Sequence, residues 1–210
     1  RSKAEVVKEC EKRPPDFDWT SLVTTANRLV MEAIEEGDPI IDLRSLIPVE
    51  SRPYILTPFL RDGEPMLLFG KSGTGKSTLA LTFATVIKTV SNRLNLSPVD
   101  TGEILYVDYE DTEETLADRL DHIANGLGLT HAPTILYKHA TVSLPNMVDS
   151  LRAEVARRGI SGIIVDSAAL ACGAEPESAD AANAYFRALR ALKLRWSLTI
   201  AHQPHNLNGD

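Results

Sequence analysis

The sequence is short of several things that would place it quickly. Its 210 residues hold two cysteines, Cys10 and Cys172, with no CxxC pair and no Cys/His cluster. That excludes a disulfide framework and a zinc-ribbon site, and it fits a reducing, cytoplasmic setting. No apolar run approaches the roughly 18 residues of a membrane span, and no signal-peptide pattern is visible, so no membrane association is expected. Positive charge is also scarce: the formal net charge is −7. A broadly basic, nucleic-acid-coating surface is therefore excluded, although a local basic patch is not. What remains is ordinary globular composition, with 43% hydrophobic and 24% charged residues. The length suits one substantial domain with a small appendage. The chain opens on Arg1 and ends on the turn-like HNLNGD, and it reads as a piece of something longer.

Residues 1–51 read as a helical extension and connector, and 52–210 as a C-terminally incomplete core. In the extension, Leu22, Val23, Ala26, Leu29, Val30, Ala33 and Ile34 recur at helical spacing from Thr20 to Glu36, with Gly37 placed as a C-cap. That amphipathic helix packs either on its own domain or on a neighbouring subunit. In the core, strands and helices alternate. Apolar runs at 65–70, 103–108, 134–138, 162–166 and 197–202 predict five strands. Helical periodicity predicts helices over 76–90, 112–127, 145–158 and 178–194. Continuous apolar strands separated by helices indicate an α/β domain with a mostly parallel sheet. The segment ALKLRWSLTI joins the last helix to the last strand without Gly, Pro or Asn. Either unusual residues make that turn or a loop is missing near 193–197.

The stretch FGKSGTGKST carries the clearest chemistry. It contains G-x-x-x-x-G-K-S, with Gly70, Gly75, Lys76 and Ser77, after a predicted strand and at the start of a predicted helix. Glycines let successive N–H groups turn toward phosphate oxygens, and the helix start adds its positive end. Gly70, Ser72, Gly73, Thr74, Gly75, Lys76, Ser77 and Thr78 are therefore the expected nucleotide-binding residues. Lys76 carries charge to the β and γ phosphates, and the Ser77 hydroxyl is placed to ligate Mg²⁺. Downstream, GIIVDS sets Asp166 at the end of a strand, where a carboxylate holds Mg²⁺. ATP and Mg²⁺ are the expected ligands.

Hydrolysis needs a group that orients or deprotonates water. Many P-loop ATPases place a Glu directly after the metal-binding Asp, but here that position is Ser167. The base must come from another strand. ILYVDYED, residues 104–111, ends its strand in Asp108, Glu110 and Asp111. Glu110 is the best candidate, Asp108 the fallback, and Asp111 reads as a helix cap in a capping-box pattern with Glu114. All three acids as solvated turn residues is the plain alternative.

Three pieces, GKSGTGKST, ILYVDYEDTEETLADRL and GIIVDSAALACGAEPESADAANAYFRALRAL…SLTIAHQPHN, resemble in order and spacing the RecA-fold ATPases. The closest resemblance is to the RepA-like branch, which includes hexameric replicative helicases. It covers residues 52–210, about three-quarters of the chain. The resemblance implies a sheet order of 3-2-4-1-5, counting the strand before the phosphate loop as 1. It implies Glu110 as catalytic glutamate. Arg119 matches an arginine near that site, or is a surface helix charge. His202, with Gln203 as rival, matches a polar sensor of the γ-phosphate. Implied partners are further copies of the chain in a ring, a hexamer in the family form, together with single-stranded DNA and protein partners. The sequence departs from the family at His205, where a Lys or Arg is usual, and it stops before the segment that carries the trans-acting arginine.

Two functions follow: a DNA-stimulated oligomeric ATPase motor or helicase, and an ATP-dependent switch acting on protein partners without unwinding. Loop 171–181 is acidic, a poor grip for DNA phosphates. Arg187, Arg190, Lys193 and Arg195 form the best basic cluster, or else a solvated helix face. No arginine-rich lid supports a small-molecule kinase, no [NT]KxD motif supports a GTPase, and no LSGGQ-like run supports an ABC-type ATPase.

Overall fold

A computed structural model describes residues 18–36, 40–45, 53–99, 102–173 and 178–203. The chain divides into two compact units, Arg1–Val49 and Glu50–Asp210. The first contains helix α1 (Trp19–Glu36) and a 3-10 turn at Leu43–Ser45. Asp18 starts α1: its carboxylate accepts the Ser21 N–H at 2.9 Å, the usual service of an N-cap. Leu22 and Leu29 of its apolar stripe are exposed. The expected C-cap, Gly37, lies outside the described residues.

The second unit opens with β1 (Tyr54–Thr57) and β2 (Leu60–Arg61), then β3 (Pro65–Gly70) and α2 (Lys76–Thr89). A short β4 (Ser97–Pro98) and β5 (Glu103–Asp108) follow, then α3 (Glu113–Gly126), β6 (Leu136–His139) and α4 (Leu144–Arg158). β7 (Ile160–Asp166), the short α5 (Ala168–Cys172), α6 (Ala179–Ala191) and β8 (Trp196–His202) complete the chain as described. β2, β1 and β4 form a small antiparallel sheet. The main sheet has five strands in the order β3-β8-β7-β5-β6, every neighbouring pair parallel.

Both faces of this sheet are covered, which is why its strands read as unbroken apolar runs. On one face Ile104, Tyr106, Ile164, Leu198 and Ile200 pack with Leu81, Phe83, Ala84 and Ile87 of α2 and Leu116 of α3. On the other, Leu105, Val107, Ile163 and Val165 pack with Leu144 and Leu151 of α4 and Tyr185 and Leu189 of α6. Side chains of this size stabilise by roughly 1.5–3 kcal/mol each when fully buried. α4 ends on Gly159, whose φ of 65° carries the chain into β7.

The α/β class and parallel sheet are as expected, but the implied strand order is not. In that numbering the observed order is 3-2-4-5-1: the last strand lies inside the sheet, and the strand before the phosphate loop lies at its edge. Burial explains the exchange. Trp196 through Ile200 are all buried, as an interior strand requires, whereas β3 alternates, with Leu67 and Phe69 more than half exposed. β3 also begins with Pro65, which has no N–H to give a second neighbour. The abrupt helix-to-strand junction is a turn of unusual residues. Lys193 takes a left-handed φ of 52°, and the Arg195 N–H reaches the Ser161 carbonyl at 2.9 Å.

Candidate active site

Parallel strands bring their carboxyl ends to one edge. Here that edge collects the phosphate-loop motif, both acid-bearing strand ends and His202. Register makes the gathering specific: Gly70 lies opposite His202, and Asp108 opposite Asp166. The strand exchange described above is what sets the end of β8 between the phosphate loop and Asp166.

The loop itself turns through Gly73 and Gly75, at φ 73° and 82°, values that a side chain would strain. Gly75 precedes α2 without any side-chain cap, leaving the first helical N–H groups for something else. Ser72, Gly73, Thr74 and Thr78 are exposed and Ser77 is half-buried, while Lys76 is buried. The Lys76 ammonium donates to the carbonyls of Gly70 (3.0 Å) and Lys71 (2.7 Å), and it lies 3.3 Å from His202 Nδ1. An ammonium only donates, so Nδ1 must accept, and the ring hydrogen sits on Nε2.

That Nε2–H faces Glu110, whose Oε2 is 3.6 Å away. Glu110 Oε1 accepts a hydrogen bond from the Ser167 hydroxyl. Glu110, Asp166 and His202 offer atoms within 4.8 Å of one another, a spacing that could suit a cation. The tautomer dictated by Lys76 leaves His202 no lone pair toward the two carboxylates, so its place is that of a donor.

Asp166 is almost fully buried. Its Oδ2 accepts the Tyr106 hydroxyl at 2.7 Å, while Oδ1 is buried with no partner among the described atoms. A half-satisfied buried carboxylate beside a phosphate-loop motif fits a group that binds a hydrated cation, and Mg²⁺ meets that demand with oxygen ligands. Burial, and then the nearby Asp166, push the Tyr106 hydroxyl far above the usual tyrosine range, so it stays a donor.

Asp108, the fallback base, is unsuited to that task. It is 1% exposed, and its carboxylate accepts the N–H of Glu110 (3.2 Å), the N–H of Asp111 (3.1 Å) and the Tyr137 hydroxyl (3.3 Å). The strand ends at Asp108 and the chain turns there, so Asp108 points inward as a clasp for the turn. Burial, followed by the charge of Asp108, pushes the Tyr137 hydroxyl up to about 12. Nor does Asp111 cap α3. Thr112 does, its hydroxyl accepting the Thr115 N–H at 3.3 Å, while Asp111 pairs with Arg119 at 3.1 Å. Arg119 Nη1 is buried without a partner among the described atoms.

Gln203 joins the site through its backbone, donating to the Gly70 carbonyl at 3.1 Å. His205 lies outside the described residues. The basic cluster stands elsewhere: Arg190 and Lys193 line a cavity of about 160 Å³ with Gly63, Glu64 and Pro65, at the opposite end of β3. Arg195 is bound to Asp62. Sequence reasoning missed Ser167, Tyr106 and Tyr137. Tyr106 had a usable signal, since a tyrosine within a buried run requires a partner for its hydroxyl.

No helix among the described residues is long and apolar enough to cross a membrane. A search of curated proteins returns no match to the chain. A family model for the AAA domain, AAA_25, matches residues 33–207. With that match over most of its length, and with the parallel sheet and phosphate-loop motif already described, the chain belongs to the AAA domain family of RecA-like P-loop ATPases.

Proposed function

We propose that this chain hydrolyses ATP in a Mg²⁺-dependent reaction with Glu110 as the base, and that it works as an oligomeric motor of the RepA-like branch stimulated by single-stranded DNA. The observation that carries the catalytic part is the position of Glu110. Its carboxylate stands at the end of the strand beside that of Asp166, against Ser167 and His202, and His202 in turn touches Lys76.

The loop N–H groups from Gly73 to Thr78 receive the phosphate oxygens. Lys76 exchanges the carbonyls of Gly70 and Lys71 for the β and γ phosphates. Ser77 and Asp166 hold Mg²⁺, which when bound neutralises charge on those phosphates. Glu110 orients a water whose oxygen attacks the γ-phosphorus. The bond to the ADP oxygen breaks, and the water proton passes to the Glu110 carboxylate. His202, freed from Lys76 as the ammonium turns to phosphate, senses the γ-phosphate by presenting a ring N–H to one of its oxygens. Arg119, beside the Glu110 turn, contacts the nucleotide.

The order and spacing of the three motifs support the RepA-like, ring-forming reading, in which further copies and single-stranded DNA are the partners in the cytoplasm. A second reading, a switch for protein partners, is favoured by one observation: the basic cluster lies at the end of the sheet away from the phosphate loop, with Arg195 already engaged. ATP turnover with and without single-stranded DNA separates the two. Lys76→Ala should abolish tight ATP binding, while Glu110→Gln should keep binding and lose turnover. Normal turnover by Glu110→Gln would remove Glu110 as the base. Turnover indifferent to DNA would leave the switch.

A further inference from the structure

Glu110 is a long side chain at an exposed position, 43% accessible. A glutamate left free there loses up to about 2 kcal/mol of rotamer freedom each time it is brought to a reacting water. Efficient proton abstraction requires that orientation in advance. The backbone end is already held, because Asp108 clasps the N–H groups of Glu110 and Asp111. The carboxylate end has one direct hydrogen-bond donor among the described residues, the hydroxyl of Ser167.

Ser167 is fully buried, and it stands directly after Asp166, where many P-loop ATPases keep the base itself. Its hydroxyl is a donor to Oε1 and leaves Oε2 toward His202. We propose that Ser167 is a positioning residue for hydrolysis: it fixes the Glu110 carboxylate across the gap between the β7 and β5 ends, so that a base carried on the neighbouring strand works from the place beside Asp166. The proposal rests on the reading of Glu110 as base. Ser167 touches neither phosphate nor water in this role and acts only through Glu110.

The test compares wild type, Ser167→Ala, Ser167→Thr, Glu110→Gln and the Ser167→Ala/Glu110→Gln double variant, with Mg-ATP as substrate under steady-state and single-turnover conditions. A hydrogen bond to a charged group sets the scale at about 10-fold or more in rate. Ser167→Ala should therefore lower kcat by about 10-fold with KM for ATP little changed. Ser167→Thr, which keeps the hydroxyl, should retain most of the rate. The residual single-turnover rate of Glu110→Gln, read over long incubation, should be unchanged in the double variant, because the positioned group is already disabled. Thermal melting of each variant confirms folding, and a general structural defect would slow the double variant further. Ser167→Ala within about twofold of wild type, beside an inactive Glu110→Gln, overturns the positioning role and leaves the base standing. A further rate loss in the double variant also overturns it. Full activity in Glu110→Gln removes the base reading, and the proposal with it.

Discussion

Removing one oxygen from β5 should destabilise the protein and make its stability depend on Mg-ATP more steeply. Tyr106 is 1% exposed, and its hydroxyl donates to Asp166 Oδ2 at 2.7 Å. Asp166 is 4% exposed, and its other oxygen has no described partner. Tyr106→Phe keeps the ring and leaves a buried carboxylate with neither oxygen satisfied. Hydrogen bonds to charged groups contribute about 1.5–3 kcal/mol. The added apolarity of Phe offsets little of this, because the vacated space faces a charge. A loss of about 2 kcal/mol corresponds to a fall in Tm of roughly 4–8 °C for a domain of this size. The deficit should shrink when Mg-ATP is present at well above its Kd, because a cation at Asp166 takes over the partnership lost in the variant. Binding itself adds about 2.7 kcal/mol at a hundredfold excess, and that raises both proteins alike. Differential scanning fluorimetry of both proteins, without nucleotide and across a Mg-ATP series, measures all of this. A Tyr106→Phe protein that melts with the wild type under every condition refutes the reasoning, for Asp166 would then hold its charge without help from β5.

Gly162 lies against the Trp196 indole so closely that an added Cβ would overlap the ring. Trp196 is 1% exposed and has nowhere to go, so Gly162→Ala should cost about 3 kcal/mol or more, read as a lower urea midpoint by tryptophan fluorescence. An unchanged midpoint would mean that β7 and β8 separate freely. Burial, and then the charge of Asp108, push the Tyr137 hydroxyl up to about 12, against about 10 in the unfolded chain. Its contribution is therefore complete below pH 10 and is lost as pH rises toward 12, where the unfolded chain binds fewer protons. Ultraviolet phenolate absorbance should show several tyrosines ionising late in the wild type, and Tyr137→Phe should lower that late amplitude by one tyrosine's share. Early titration would mean that the contact with Asp108 is weaker than its geometry.

Much of the candidate site was legible because its signals are local. The phosphate-loop motif needs glycines where φ turns positive and a lysine at a helix start, and both stand in one short run. Asp166 and Glu110 follow from where apolar strands end. Side-by-side strand order is a long-range property, and PMLLFG reads equally well as an interior strand or as an edge with every second residue exposed. The cap of α3 was a contest between adjacent residues, Asp111 and Thr112, each able to serve. Arg119, one turn and a half along the helix, decides it by drawing Asp111 away. Ser167 is the instructive miss. Read alone it marks where a glutamate is lacking, and only the neighbouring strand shows what its hydroxyl holds. Asp108 was the fallback base on the condition that the strand run on to Glu110; β5 stops at Asp108, whose carboxylate is taken up by the N–H groups of Glu110 and Asp111.

The edge position of β3 has a mechanical consequence. All of its main-sheet hydrogen bonds among the described residues run to β8. The phosphate loop is thus tied to the main sheet on two sides, through β3 to the strand that ends in His202 and through α2 to the apolar face that covers β5, β7 and β8. Within the sheet itself, the strand of the phosphate loop has a single neighbour, and that neighbour ends in His202. On the proposed reading, the phosphate grip and the γ-phosphate sensor therefore sit on adjacent strands at one edge of the sheet.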